Sequence, residues 1–237
     1  MNIKSRPSKC FVYNRLDNLL RNRYDEVGVD AASANFKNCS KFKTTKYYGV
    51  DIDLSAVRQG VETGGENVFG IWADLSELDK LPSSSVGVVV STFSLYHLVW
   101  SKRQLALVNL CRLVRSDGLL VVELLTDENL DDSIKIIEEQ FNFIEIVYFK
   151  NYLSQWYERL IQNNISVTGD LYYFANTLPF RFLAWFLGFF EFFTYQKKGS
   201  NKHALIIAEN KKNKINNNFD LSQFPMIGKN IFNLMTK

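Results

Sequence analysis

Between Lys46 and Lys150, short apolar runs alternate with helix-length stretches, and this alternation constrains the fold more than anything else in the chain. Lys46 to Ile52, Val68 to Ala73, Val86 to Thr92, Leu119 to Leu125 and Phe143 to Lys150 read as strands. Val86 to Thr92 is valine-rich and mostly apolar, the pattern of a strand covered on both faces. Helical segments fill the gaps at Ala56 to Glu62, from Ser101 to Val114, and at Asn129 to Gln140. Strand, helix, strand in repetition predicts an α/β fold built on a mostly parallel sheet.

The details follow from local signals. Phe11, Val12, Leu16, Leu19 and Leu20 give Cys10 to Asn22 the spacing of an amphipathic helix. A weak strand is expected around Tyr24 to Val29 and a helix near Phe36 to Phe42. Asp53 or Ser55 can cap the helix after the Lys46 strand. Ser101 is expected to cap a helix with an apolar face of Leu105, Val108 and Cys111. Ser116-Asp117-Gly118 reads as a tight turn.

After Lys150 the rhythm changes. Residues 151–200 are rich in aromatics and read as a helical insertion, followed by a last strand at Ala204 to Ala208. The domain is therefore expected to span residues 1–210. Residues 211–237 are expected to form a polar, mobile tail, with a short amphipathic piece at Ile227 to Met235.

Composition narrows the function classes. With 237 residues, 46% of them hydrophobic, one domain with a substantial core is possible. The net charge of +3 comes without a basic stripe, so no nucleic-acid partner is expected. Cys10, Cys39 and Cys111 lack metal-ligand spacing, and three cysteines do not make a disulfide framework, which points to a reducing cytoplasm. MNIKSRPSKC has no apolar signal-peptide core. Arg181 and Glu191 leave a charge-free run of nine residues, Phe182 to Phe190, where a membrane span needs about 20. A buried helix, a substrate lid or a membrane-surface helix remain as readings of that segment.

Three stretches carry chemistry: YYGVDID (Tyr47 to Asp53), WADLSELDKLPSSSVGVVVSTFSLYHL (Trp72 to Leu98) and LCRLVRSDGLLVVELL (Leu110 to Leu125). Each sets polar residues near the C-terminal end of a strand, where ligands sit in open α/β sheets. In this order they resemble the middle and later motifs of class I S-adenosylmethionine-dependent methyltransferases of the small-molecule type. The resemblance covers approximately Tyr24 to Lys150 plus the last strand. It implies a Rossmann-like three-layer sandwich with a mostly parallel seven-stranded sheet and one late antiparallel strand. It also implies S-adenosylmethionine as cofactor and a small-molecule acceptor, apolar or aromatic to suit the insertion.

By that resemblance Asp51, with Ile52 beside it, accepts from the ribose hydroxyls. Read alone, Asp51 is equally a helix cap or a loop acid. Asp74 would accept from the adenine amino group with Leu75 against the ring, or else cap the turn that follows. Ser91 to His97 would lie beside the methionine part of the cofactor, with His97 as candidate general base or a structural histidine.

The first motif departs from the family. Where G-x-G-x-G is usual, Asp30, Ala32 and Ala34 stand on the glycine positions. Asp30 would bring a carboxylate towards the carboxylate of the cofactor, or pair with its ammonium. Gly87 stands where an acid commonly opens the fourth strand. A catalytically inactive, methyltransferase-like binding or scaffold protein is therefore the alternative. A nicotinamide-dependent oxidoreductase suits the later motifs poorly.

Overall fold

The computed structural model describes residues 5–163, 177–195 and 198–235. In chain order the elements are α1 (Pro7–Leu20), β1 (Val27–Ala31), β2 (Lys46–Asp51), α2 (Leu54–Thr63), β3 (Val68–Trp72), β4 (Val86–Ser91), α3 (Trp100–Leu113), β5 (Val114–Leu125), α4 (Leu130–Glu138), β6 (Phe141–Phe149), α5 (Tyr152–Asn163), α6 (Leu178–Thr194), β7 (His203–Lys211), β8 (Met226–Gly228) and β9 (Ile231–Asn233). Two compact units emerge. One comprises residues 20–124, 128–145 and 206–237, and the other residues 1–19, 125–127 and 146–205.

The sheet has the order β6-β7-β5-β4-β1-β2-β3-β9-β8. Strands β1 to β5 pair in parallel with one another. β7 is the late antiparallel strand. Lys212 beyond its end donates to the Gln140 carbonyl, and Lys202 before its start donates to the Lys150 carbonyl, so it runs against β6. This is the Rossmann-like α/β fold, with nine strands where seven were expected. Its core is aliphatic: Val50, Ile71, Val89, Val90, Leu107, Leu110 and Val121 are fully buried. All six residues of β4 are buried, as its unbroken apolar run requires. Asp53 caps α2, accepting from the Ser55 and Ala56 amides at 2.8 and 3.3 Å.

Several local expectations are corrected. The first strand begins at Val27, and Tyr24 is 77% exposed. Phe36 to Phe42 holds only a 3₁₀ turn, Cys39–Lys41. In α3 the buried face is Ala106, Leu107, Leu110, Cys111 and Leu113, while Leu105 and Val108 are exposed. Apolar residues ring that helix, so periodicity did not select one face. Ser116 to Gly118 does not separate helix from strand as a tight turn. It lies inside β5 as an irregularity, with Val86 opposite Val114 and Val88 already opposite Leu119.

The C-terminal segment also departs from a mobile tail. β9 adds in parallel to β3, pairing Gly70 with Ile231 through Trp72 with Asn233, and β8 pairs antiparallel to β9. Upstream, Asn217 donates to the Ser84 carbonyl, and Phe219 packs edge-on against Tyr48 at 4.8 Å. Alternation was invisible here because each strand has only three residues.

The second unit is built around α1, α5 and α6. Phe11 stacks on Phe149 at 5.6 Å and meets Phe192 edge-on at 4.9 Å. Gly188 lets α6 approach α1 closely, since a Cβ there would lie 2.8 Å from the Pro7 carbonyl oxygen. Tyr157, Ile161 and Ala184 form its small core. Tyr172, Tyr173 and Phe174, which the sequence assigns to the aromatic insertion, lie outside the described residues.

Candidate functional site

The order β4-β1-β2-β3 reverses direction between β1 and β4, and ligands in open α/β sheets bind outside the strand ends at such a reversal. A cleft of about 290 Å³ opens there. It is lined by Ala32 after β1, Asp51 and Ile52 at the tip of β2, and Ala73 to Leu75 after β3. Phe93, Ser94, His97 and Leu98 after β4 complete it. A larger hollow of about 580 Å³ lies near Gly64–Glu66 and Lys229–Ile231, where β3 begins, away from these strand tips.

Asp51 is the central polar group. Its Oδ2 accepts from the Ala34 amide at 2.7 Å and its Oδ1 from the Asp53 amide at 3.0 Å. A carboxylate has about four acceptor positions, so it retains capacity for two more donors. Ile52 is 59% exposed beside it, and its carbonyl accepts from the Trp72 indole at 2.9 Å.

The loop after β1 explains how Ala32 and Ala34 stand on glycine positions. Their φ angles are +55° and +49°, and Phe36 follows at +61°. The left-handed backbone that glycine would supply is therefore kept, at a steric cost of about 1–2 kcal/mol for each non-glycine residue. Phe36 offsets it by plugging the loop down. Its ring fills the space beside Gly49 of β2 and Gly60 of α2, where a Cβ would come within 2.1 and 2.4 Å.

Asp30 does not enter the cleft. It lies within β1, 1% exposed, and accepts from the Tyr47 hydroxyl at 2.7 Å and from Asn38 Nδ2 at 3.1 Å. It ties the loop to β2 from inside. Burial, opposed by those two hydrogen bonds, raises its pKa to about 7.

Asp74 caps the 3₁₀ turn Leu75–Lys80. Its Oδ1 accepts from the Ser76 amide at 2.9 Å and hydroxyl at 2.8 Å, and its Oδ2 pairs with Lys102 at 2.8 Å. Partial burial pushes the carboxyl up, but Lys102 and Ser76 outweigh it, and Asp74 titrates below the usual carboxylate range. Leu75 is buried and walls the cleft.

Ser91 is fully buried and stands behind the cleft, its hydroxyl 2.9 Å from that of Ser94, which does line it. His97 is on the rim, with Tyr96 against its ring at 4.4 Å. The Phe93 amide, at a φ of +59°, donates to the buried Glu123 carboxylate at 2.7 Å. The roles of Lys102, Phe36 and Glu123 were not read from sequence. The strand pattern Leu119 to Leu125, apolar but for Glu123, was the one available signal.

Gly87 has a spatial explanation. Asp25 packs over it, with its Cβ 2.5 Å from where a Gly87 Cβ would stand, and Asp25 pairs with Arg115 at 2.7 Å. The acid missing from β4 is supplied at that point by the segment before β1.

Residues 21–122, which include every residue lining the cleft, match the family described as "Methyltransferase domain". A comparison with the curated proteins finds no match. Among solved structures, the N-methyltransferase NodS from Bradyrhizobium japonicum WM9, in complex with S-adenosyl-L-homocysteine, is similar at 13% identity. That match has a TM-score of 0.53 and covers 85% of each chain. The TehB-like SAM-dependent methyltransferase from Corynebacterium glutamicum is similar at 15% identity and TM-score 0.52, covering 84% of this chain and 88% of that one. The [4+2]-cyclase SpnF is similar at 12% identity and TM-score 0.53, covering 83% and 81%. At these identities the likeness establishes the fold.

Proposed function

We propose that the cleft binds S-adenosylmethionine and that the protein transfers its methyl group to a small apolar or aromatic acceptor. The observation that carries this reading is Asp51, seated at the tip of β2 with acceptor capacity left, facing a loop that holds a glycine-like backbone without glycines. The residues present suit the cofactor. Asp51 would receive the ribose hydroxyls, and Ile52, Leu75 and Leu98 offer apolar walls for adenine. Asp74 would lie at the adenine edge with Lys102 and Ser76 holding its carboxylate in place. Bound there, S-adenosylmethionine supplies an electrophilic methyl on a sulfonium. The protein's own contribution is chiefly orientation, holding an acceptor in line with that methyl. Phe93, Ser94 and His97 line the side of the cleft where an acceptor would enter, and there His97 would take a proton from an acidic nucleophile.

The position of Asp30 favours this reading over an inactive scaffold, because its carboxylate is spent on Tyr47 and Asn38 and does not oppose the cofactor. The alternative remains a non-methylating protein on the same fold, and SpnF, a [4+2]-cyclase, shows that this fold carries other chemistry. The deciding experiment incubates the full chain with methyl-labelled S-adenosylmethionine and a panel of phenols, indoles, aliphatic amines and fatty acids. Label transfer to one class, lost in Asp51→Ala, supports methyl transfer. Cofactor binding without transfer to any class favours the scaffold.

A further inference from the structure

Helix α6 is amphipathic the wrong way round for a soluble protein. Its inward face is Ala184, Gly188 and Glu191, all fully or nearly fully buried. Its outward stripe is Phe182, Phe186, Phe189 and Phe193, spaced i, i+4, i+7, i+11 and therefore on one side of the helix. These rings are 49%, 50%, 48% and 68% exposed. Leu178, Leu183 and Phe190 widen the stripe. Within the same unit α5 adds exposed Leu153, Trp156 and Leu160. Soluble proteins seldom expose a contiguous apolar surface of this kind unless something covers it.

The charges indicate what that is. Both acids of the two helices face inward: Glu158 is 2% exposed, accepting from Ser8 and paired with Lys150 at 3.0 Å, and Glu191 is 0% exposed, accepting from the Asn151 amide at 3.1 Å and from the Ser154 hydroxyl. The other described acids of the unit, Asp17 and Asp127, are half-buried. Among the described residues its exposed charges are cationic: Arg159, Arg181, Lys198 and Lys202. A surface of phenyl and indole rings edged by cations and, among the described residues, without exposed acids matches the headgroup–acyl boundary of an anionic bilayer, where aromatic rings partition and basic side chains meet lipid phosphates. The helix has 17 residues, and among the described residues no helix is long and apolar enough to cross a membrane, so the contact would be a surface one.

We propose that the outward faces of α6 and α5 dock this protein on an anionic lipid surface. The test uses the full chain with vesicles of phosphatidylcholine alone and of phosphatidylcholine mixed with phosphatidylglycerol, read by co-sedimentation and tryptophan emission. Sedimentation with the mixed vesicles is expected, weaker in phosphatidylcholine alone and at high salt. Phe186→Ser, Phe189→Ser and Phe193→Ser combined should weaken binding by roughly 100-fold. Melting temperature should be retained, because those rings are not part of the core. Arg159→Glu should weaken binding to the mixed vesicles alone. Absence of vesicle binding, or binding unchanged in the triple variant, would overturn the proposal. So would a concentration-dependent dimer that the triple variant abolishes, since the face would then belong to a second copy of the chain.

Discussion

At the scale of single residues, the stability of the cleft depends on a carboxyl group held outside it. Asp30 keeps its proton up to a pH of about 7 in the folded chain, against 3.8 for its ordinary value. Between those values the native state binds more protons than the unfolded one, so this group's contribution is full below pH about 4 and declines as pH rises through 7. Asp30→Asn removes the decline. Urea titrations of the two proteins should diverge with pH, the variant being more stable by roughly 2–4 kcal/mol at pH 8 and little different at pH 4. Parallel curves at all pH values would show that Asp30 is ionised throughout. Nearby, Ala32→Gly and Ala34→Gly relieve left-handed strain but raise unfolded-chain entropy. Each should change stability by no more than about 1 kcal/mol, in the stabilising direction, as thermal melts would record.

At the scale of elements, the loop after β1 is fixed by a ring between two glycines. Gly49→Ala would drive a methyl into Phe36, since its Cβ would fall 2.1 Å from the ring. It should destabilise the protein by about 1–3 kcal/mol, and by more where β2 cannot shift. Phe36→Ala should cost about 3–5 kcal/mol through the cavity it leaves. If Gly49→Ala melts with the parent, Phe36 is not seated there. At the other edge of the sheet, β9 contributes Ile231, 4% exposed, against Gly70 of β3. Ile231→Ala should cost about 2–4 kcal/mol by chemical denaturation, where a mobile tail would show no change.

The same elements show what the sequence disclosed and why the rest stayed hidden. β4 was legible because all six of its residues are buried and an unbroken valine run has few other readings. Asp51 and Asp74 were legible because each ends an apolar run. Asp30 was misplaced because the register was taken from a helix starting at Asn35 to Asn38, where the chain only turns, and the positive φ angles fall on Ala32, Ala34 and Phe36 instead. Chain order alone cannot reveal that Tyr47, 17 residues on, supplies the partner that lets a carboxyl be buried. α6 was legible as an aromatic helix but not as an inverted one, because facing depends on α1 packing against Gly188.

At the scale of the whole molecule, the fold is established, and the chemistry rests on whether the cleft takes its cofactor. Isothermal titration calorimetry with S-adenosylmethionine, on the full chain and on Asp51→Ala, tests this most directly. A charged acceptor shared by two hydroxyls contributes about 1.5–3 kcal/mol. The account therefore predicts saturable one-to-one binding by the parent and a loss of about 10- to 150-fold in Asp51→Ala. Asp51→Asn, which keeps an oxygen for the Ala34 amide but sets an NH2 group against the Asp53 amide, should fall between the two. No heat of binding at millimolar cofactor, or equal affinity in parent and Asp51→Ala, would contradict it.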